Sequence, residues 1–264
     1  MSIPSSPRVV FRRNVLANVL CQLKFPPVLS IMAKEPAGFQ DRIREQYPLY
    51  SQDQGIAFPP ELKALLGRAN FPSVGDHLRH SFQNADASSS IFLTKEFLAI
   101  ETTKYKRWEL FSTEIERAAK ALQEEYHPAF YSRIGLRYQD VIDRSTIPGL
   151  ESVPWHELIS PNFIGMLGHE DIRPSIAEQT TQSLISLDEL PGAFVRVVHG
   201  IPKLAGDGRQ NVFNFDADFF IEGRVEHHDV EKIVSTFHLV AGNLFRWAIT
   251  PRLYDALEPE SLSS

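Results

Sequence analysis

Apolar and polar positions alternate with a period of two through several runs of this chain, and recur every three to four residues through others. NVLANVLCQLKF (14–25) has the Val, Leu and Phe content of a strand and stops at Pro26 and Pro27. EPAGFQDRIREQYP (35–48) sets Phe39, Ile43 and Tyr47 four apart between Pro36 and Pro48, which predicts a short amphipathic helix. Residues 49–75 are broken by Pro and Gly around one helical piece, PELKALLGRA, and read as an excursion from the core. HLRHSFQN (77–84), SSIFLTK (89–95) and EFLAIETT (96–103) read as antiparallel strands. Lys95-Glu96 is the turn between the last two, without the Gly or Asn that tight hairpins favour. In TKYKRWELFSTEIERAAKALQEEY (103–126), Trp108, Phe111, Ile115, Ala118, Leu122 and Tyr126 fall on one helical face, with Thr103 as the candidate cap. YSRIGLRYQDVID (131–143) then reads as a strand.

After a cluster of turn residues, DRSTIPGLESVPW (143–155), the style repeats without the sequence repeating. SPNFIGML (160–167) predicts a short helix, and 176–187, 192–202 and 211–223 predict strands, the last two joined as a hairpin by KLAGDGRQ (203–210). HDVEKIVSTFHLVAGNLFRWAI (228–249) is a long helix with Val230, Ile233, Val234, Phe237, Ala241 and Leu244 on its apolar side, ended by Pro251. The expectation is an α+β fold of two α/β-sandwich-like units with mainly antiparallel sheets. The first, 1–145, is ferredoxin-like with an irregular insertion around 49–75. The second, 155–250, packs an antiparallel sheet on the C-terminal helix. Residues 251–264 form a tail, and its last stretch, EPESLSS, is expected to be disordered.

Composition narrows the class without naming a reaction. Of 264 residues, 43% are hydrophobic and 23% charged, an ordinary soluble balance. No run reaches the ~18 apolar residues of a membrane helix, and MSIPSSPRVVFRRN lacks the apolar region of a signal peptide, so the expected location is cytoplasmic, with no membrane partner. Cys21 stands alone between Leu20 and Leu23, which excludes an internal disulfide and suggests a buried structural thiol. The net charge of −6 is uneven. Through residue 145 there are 19 Lys and Arg against 16 Asp and Glu, and thereafter 8 against 17. The acidic total disfavours a protein that coats nucleic acid but allows a local basic groove in the first half.

Few residues suggest chemistry. Asp216 and Asp218 in NFDADFF leave the same face of a strand, as a carboxylate pair for a hard cation would, although half-exposed strands alternate this way by default. They are the weak metal candidates, and no cofactor is called for. His227 and His228 suit the start of the last helix. His238 lies by its apolar stripe and reads as a hydrogen-bonded core or interface residue, with a general base as the rarer alternative. No GxSxG, HExxH or Walker lysine loop is present, so no catalytic residue is assigned. TKYKRW interleaves Lys104, Lys106 and Arg107 with Tyr105 and Trp108, a pattern that can hold phosphates and stack bases. In the strand at 131–143, Ile134, Leu136 and Tyr138 are expected to face the preceding helix. Arg133 and Arg137 then flank Gly135 on the other face, either around a notch for an anion or partner, or paired with local carboxylates. Lys104, Lys106, Arg107, Arg133, Arg137 and Tyr138 are the candidate binding residues.

FLTKEFLAIETTKYKRWELF, IGLRYQDVI and the late NFDADFF before a helix with an internal His and Phe resemble a sporadically distributed family of bacterial and archaeal proteins of about this length, without an assigned activity. The resemblance covers most of the chain in order, is strongest from 91 to 142, and centres on the Gly-Leu-Arg-Tyr run. It implies an accessory gene, of phage defence or mobile elements, and supplies no catalytic residue. The first expectation is therefore a non-enzymatic component that binds a protein partner in an accessory or defence-like system. The alternative is RNA binding or metal-independent RNA processing through the N-terminal half by paired ferredoxin-like domains. A metal-dependent nuclease comes third.

Overall fold

The computed structural model describes residues 3–54, 78–202 and 212–261. The helical piece PELKALLGRA and the link KLAGDGRQ lie outside them. The strands are β1 (Val9–Phe11), β2 (Leu16–Lys24), β3 (Leu49–Gln54), β4 (Leu78–Gln83), β5 (Ser89–Leu93), β6 (Phe97–Thr102), β7 (Tyr131–Asp143), β8 (Gln179–Ser186), β9 (Ala193–Ile201), β10 (Val212–Val225) and β11 (Pro259–Ser261). The helices are α1 (Ser30–Ala33), α2 (Ala37–Ile43), α3 (Trp108–Tyr126), α4 (Pro161–Ile164), α5 (Val230–Ala248) and α6 (Pro251–Ala256). The fold is α+β with antiparallel sheets, as the alternation predicts.

Nine strands form one antiparallel sheet in the order β3-β4-β5-β6-β2-β7-β10-β9-β8. Within it, β5-β6-β2-β7 has the strand order of a ferredoxin-like unit, with β2 between β6 and β7, and β4 and β3 extend its edge. The units expected on either side of 143–155 place their strands in this one sheet. The long strands β7 and β10 pair from Val212↔Asp143 to Val225↔Tyr131, with an irregularity between Glu222 and Val225. β10 alternates apolar residues from Phe213 to Ile221 and β7 from Ile134 to Ile142, interrupted by Asp140, so the seam between the halves carries a continuous buried face.

Alternation decides the faces. Leu23, Ile134 and Phe219 are buried on the face that α2, α3 and α5 cover, where Phe219 meets Phe237 of α5 at 6.0 Å and Phe39 of α2 meets Phe82 of β4 at 5.4 Å. Below β9 and β10, Trp155 and Phe163 pack on Phe213 and Phe215 and extend the same core. Cys21 is fully buried in it, as expected, and burial pushes its thiol up to about 12.

Three expectations at element ends need correction. The helix expected from 103 begins at Trp108, and Thr103 does not cap it: the Thr103 hydroxyl donates to Ser88 O at 3.3 Å, and Arg107 precedes the helix in an extended conformation. The tail expected to be disordered instead contributes β11, which pairs with β1 in the register Val9↔Ser261 to Phe11↔Pro259. Pro251 follows the end of α5 but also opens α6, where Thr250 accepts from the Leu253 N–H at 3.4 Å.

Candidate functional site

The candidate residues do not assemble into one groove. Arg133 and Arg137 lie on the sheet face opposite the helices, and each is held by a carboxylate of β10. Arg137 forks onto Asp216, with Nε donating to Oδ1 at 2.7 Å and Nη2 to Oδ2. Arg133 Nη2 donates to Asp218 at 2.9 and 3.2 Å, and its Nη1 donates to Gln22 at 3.0 Å. The two arginines and the two weak metal candidates are thus partners of one another. Arg137 and Asp216 are each 8% exposed, so this is a sealed, bidentate pair. Burial pushes the Asp218 carboxyl up against the opposing pull of both arginines. The notch expected at Gly135 is filled by the chain itself. A Cβ there would collide with Arg133 Nη1, so the missing side chain makes room for the guanidinium. Among the described residues, no group of three His, Cys, Asp or Glu side chains could hold a metal. Lys104 pairs with Asp86 at 2.8 Å, whose carboxyl is held below its ordinary value by that contact.

Tyr138 points the other way and meets a cavity of about 310 Å³. Four elements build it: the segment 5–16, the turn 105–108 into α3, strand β7 and helix α5. The displaced start of α3 matters here. Asn14 Nδ2 donates to Tyr105 O at 2.8 Å, and the irregular 103–107 stretch sets the Tyr105 ring against Tyr138, edge to face at 6.1 Å. The Tyr138 hydroxyl shares a hydrogen bond with His238 Nδ1 at 2.9 Å. Trp108 stacks flat on His238 at 4.5 Å and fixes the ring. Phe11 and Phe245, edge to face at 5.8 Å, form an opposing apolar wall.

Asp140 also lines the cavity and is 6% exposed. It pairs in the sheet with Leu16, at the bulge between Leu16 and Asn18, and with Phe215. That apolar setting pushes its carboxyl well above the ordinary range, and the Asp216 charge adds to the effect. The same burial lowers His238 to about 3 and raises Tyr138 and Tyr105. At neutral pH the inner wall therefore offers a neutral imidazole and two phenols, beside an acid whose burial favours its protonated form. The rim is cationic. Arg8 reaches Glu109 at 2.7 Å, Lys106 and Arg107 are exposed, and Arg246 donates to Ser6 Oγ and, at 2.9 Å, to Asn243 Oδ1.

No protein-family model and no curated protein matches the chain. The chemistry must therefore be read from the side chains. Burial favours the uncharged form of each titratable group of the inner wall, so these groups can donate and accept hydrogen bonds. Among the candidate binding residues, the cavity gathers Tyr138, Lys106 and Arg107, and leaves out Lys104, Arg133 and Arg137. His238 is the hydrogen-bonded residue its position in the helix suggests. Arg8, Asn243 and Arg246 carry no sequence signal, and Asp140, a carboxylate within reach of the strand arginines by sequence, instead faces the cavity while Asp216 and Asp218 take the arginines. The acid is one more polar position in a strand, and the N-terminal residues belong to a segment too short to show a period.

Proposed function

We propose that the chain is a non-enzymatic binding protein whose site is the cavity enclosed by the segment 5–16, α3, α5 and β7. One observation carries the reading: a preformed cavity of about 310 Å³ is lined mainly by aromatic and aliphatic groups, with the buried Asp140 and the hydrogen-bonded Tyr138–His238 pair opening onto it. Small-molecule sites combine an apolar wall with a few fixed polar groups in this way. An accessory role, as the family resemblance implies, fits a protein that senses or carries such a molecule. The nucleic-acid alternative has less support, because Arg133 and Arg137 are neutralised on the opposite sheet face and Lys104 is paired with Asp86.

Trp108 is part of the wall, so ligands can be found by its fluorescence and by thermal shift. Ala241 lines the cavity and is 8% exposed, so Ala241→Phe fills it. Ligands that stabilise the wild type are expected to lose at least about tenfold in affinity for Ala241→Phe. If every ligand found binds the folded variant as tightly as the wild type, the cavity is not the site.

A further inference from the structure

The lining of the cavity is specific enough to indicate what it takes, on the reading that it is a ligand site. We infer that it receives a planar head group with a cyclic-amide edge, carried on a body that ends in an anionic group, as in a pyrimidine or purine mononucleotide. Three features carry this. Asp140 is buried, 6% exposed, where the mainly apolar lining of the cavity opens, which favours its neutral form, and a neutral carboxyl offers an O–H donor next to a carbonyl acceptor. A cyclic amide presents the complementary acceptor next to a donor, and a site built to hydrogen-bond such an edge rejects analogues that lack it. The aromatic pairs Tyr105–Tyr138 and Phe11–Phe245 frame the space with ring faces and edges, which suits a flat heterocycle.

The charges give the other end. Lys106, Arg107 and Arg246 line the cavity together with Arg8, which is paired with Glu109, and Asp140 is the acid of the lining. A cationic amine would gain the Asp140 carboxylate but would meet this rim on its way in. An anionic tail gains from the rim and leaves the neutral head free to reach the acid. The volume of about 310 Å³ is at the small end of ligand sites, which suits a mononucleotide rather than a dinucleotide.

The experiment is calorimetric titration of the full chain with uridine and guanosine 5′-monophosphates, their parent nucleosides, inorganic phosphate and benzylamine. At least one monophosphate is expected to bind more tightly than its nucleoside and than phosphate alone. Asp140→Asn keeps a donor beside an acceptor and is expected to bind within about threefold of wild type, whereas Asp140→Leu loses about tenfold or more. The exposed pair Lys106→Ala and Arg107→Ala is expected to weaken the monophosphate several-fold, steeply with salt, and to leave the nucleoside unchanged. Unfolding curves show which variants remain folded, and the asparagine variant carries the test if the leucine variant does not. Tighter binding of benzylamine, lost in Asp140→Asn, would overturn the inference. So would failure of both monophosphates to bind while other ligands bind the wild type and are blocked by Ala241→Phe. In that last case the cavity reading stands and only the ligand class falls.

Discussion

Arg137 shows how a single residue on the sheet acts through what surrounds it. Its guanidinium and the Asp216 carboxylate are both removed from water, so their attraction offsets a desolvation cost rather than adding a large surplus. Cutting the pair is different from never having made it. Arg137→Ala leaves Asp216 buried without its fork and is expected to destabilise the protein by about 3 kcal/mol in chemical denaturation. Arg137→Lys keeps the charge but not the bidentate geometry and is expected to fall between the two. A loss below about 1 kcal/mol for the alanine variant would contradict a sealed pair. Glu101 is the residue on this face that titrates near neutrality. One of its carboxylate oxygens is buried with no hydrogen-bond partner among the described residues, and burial pushes it to about 7, against the opposing effects of Asn18 and Arg79. The folded state thus holds a proton that the unfolded chain releases near 4.5. That contribution is fully present below about pH 4.5 and is lost as pH rises through about 7. Glu101→Gln is expected to match wild type near pH 5 and to exceed it by roughly 2–3 kcal/mol at pH 8. An equal difference at both pH values in urea titrations would show that Glu101 is not the titrating group.

At the level of elements, the cavity depends on a clasp between the two ends of the chain. Strand β1 pairs with β11, Arg13 donates to Ala256 O at 2.9 Å and reaches Glu258 at 2.9 Å, and Phe11 packs edge to face on Tyr254 at 5.5 Å. Three paired residues and partly exposed ion pairs make a weak tie compared with the central strands. Amides of 9–11 and 259–261 are expected to exchange with deuterium well before those of β2, β7 and β10. Arg13→Ala is expected to accelerate the clasp alone and leave the midpoint of global unfolding nearly unchanged. Uniform protection across β1, β11 and β7 would show that the clasp opens only with the whole fold. Elements of this kind are hard to read from sequence. VVF is too short for periodicity, and Pro259–Ser261 has no strand propensity of its own; each is ordered by the backbone hydrogen bonds of the other. The long elements were legible because a buried face imposes its period: β7 spans 131–143 as the alternation of Ile134, Leu136 and Tyr138 requires, and α5 follows its apolar stripe. The start of α3 was not legible, because Lys104 to Arg107 suit a helix locally and are drawn out of it by Asn14 and Ser88.

On the scale of the whole molecule, β7 and β10 join the two halves through one of the longest ladders in the sheet, and one hydrophobic cluster runs through both. Cutting between the halves would strand two edge strands with apolar faces. The full chain is therefore expected to unfold in one calorimetric transition, and fragments ending and starting near residue 148 to be insoluble or unfolded when made separately. Two resolved transitions, or a fragment with the amide protection of the intact protein, would show that the halves are independent. No described helix is long and apolar enough to cross a membrane. The sequence by itself determined the elements whose period a buried face enforces, the α+β antiparallel class, the two faces of β7 and the buried Cys21, because these follow from local alternation and side-chain volume. Only the tertiary structure decided which strands adjoin, which partners Arg133 and Arg137 take, and that Tyr138, Asp140, His238 and the N-terminal segment enclose one space. The physical reason is that such contacts join residues far apart in the chain, 240 positions in the case of Ser6 and Arg246 and more across β1 and β11, and burial, charge pairing and pKa exist only once those residues meet.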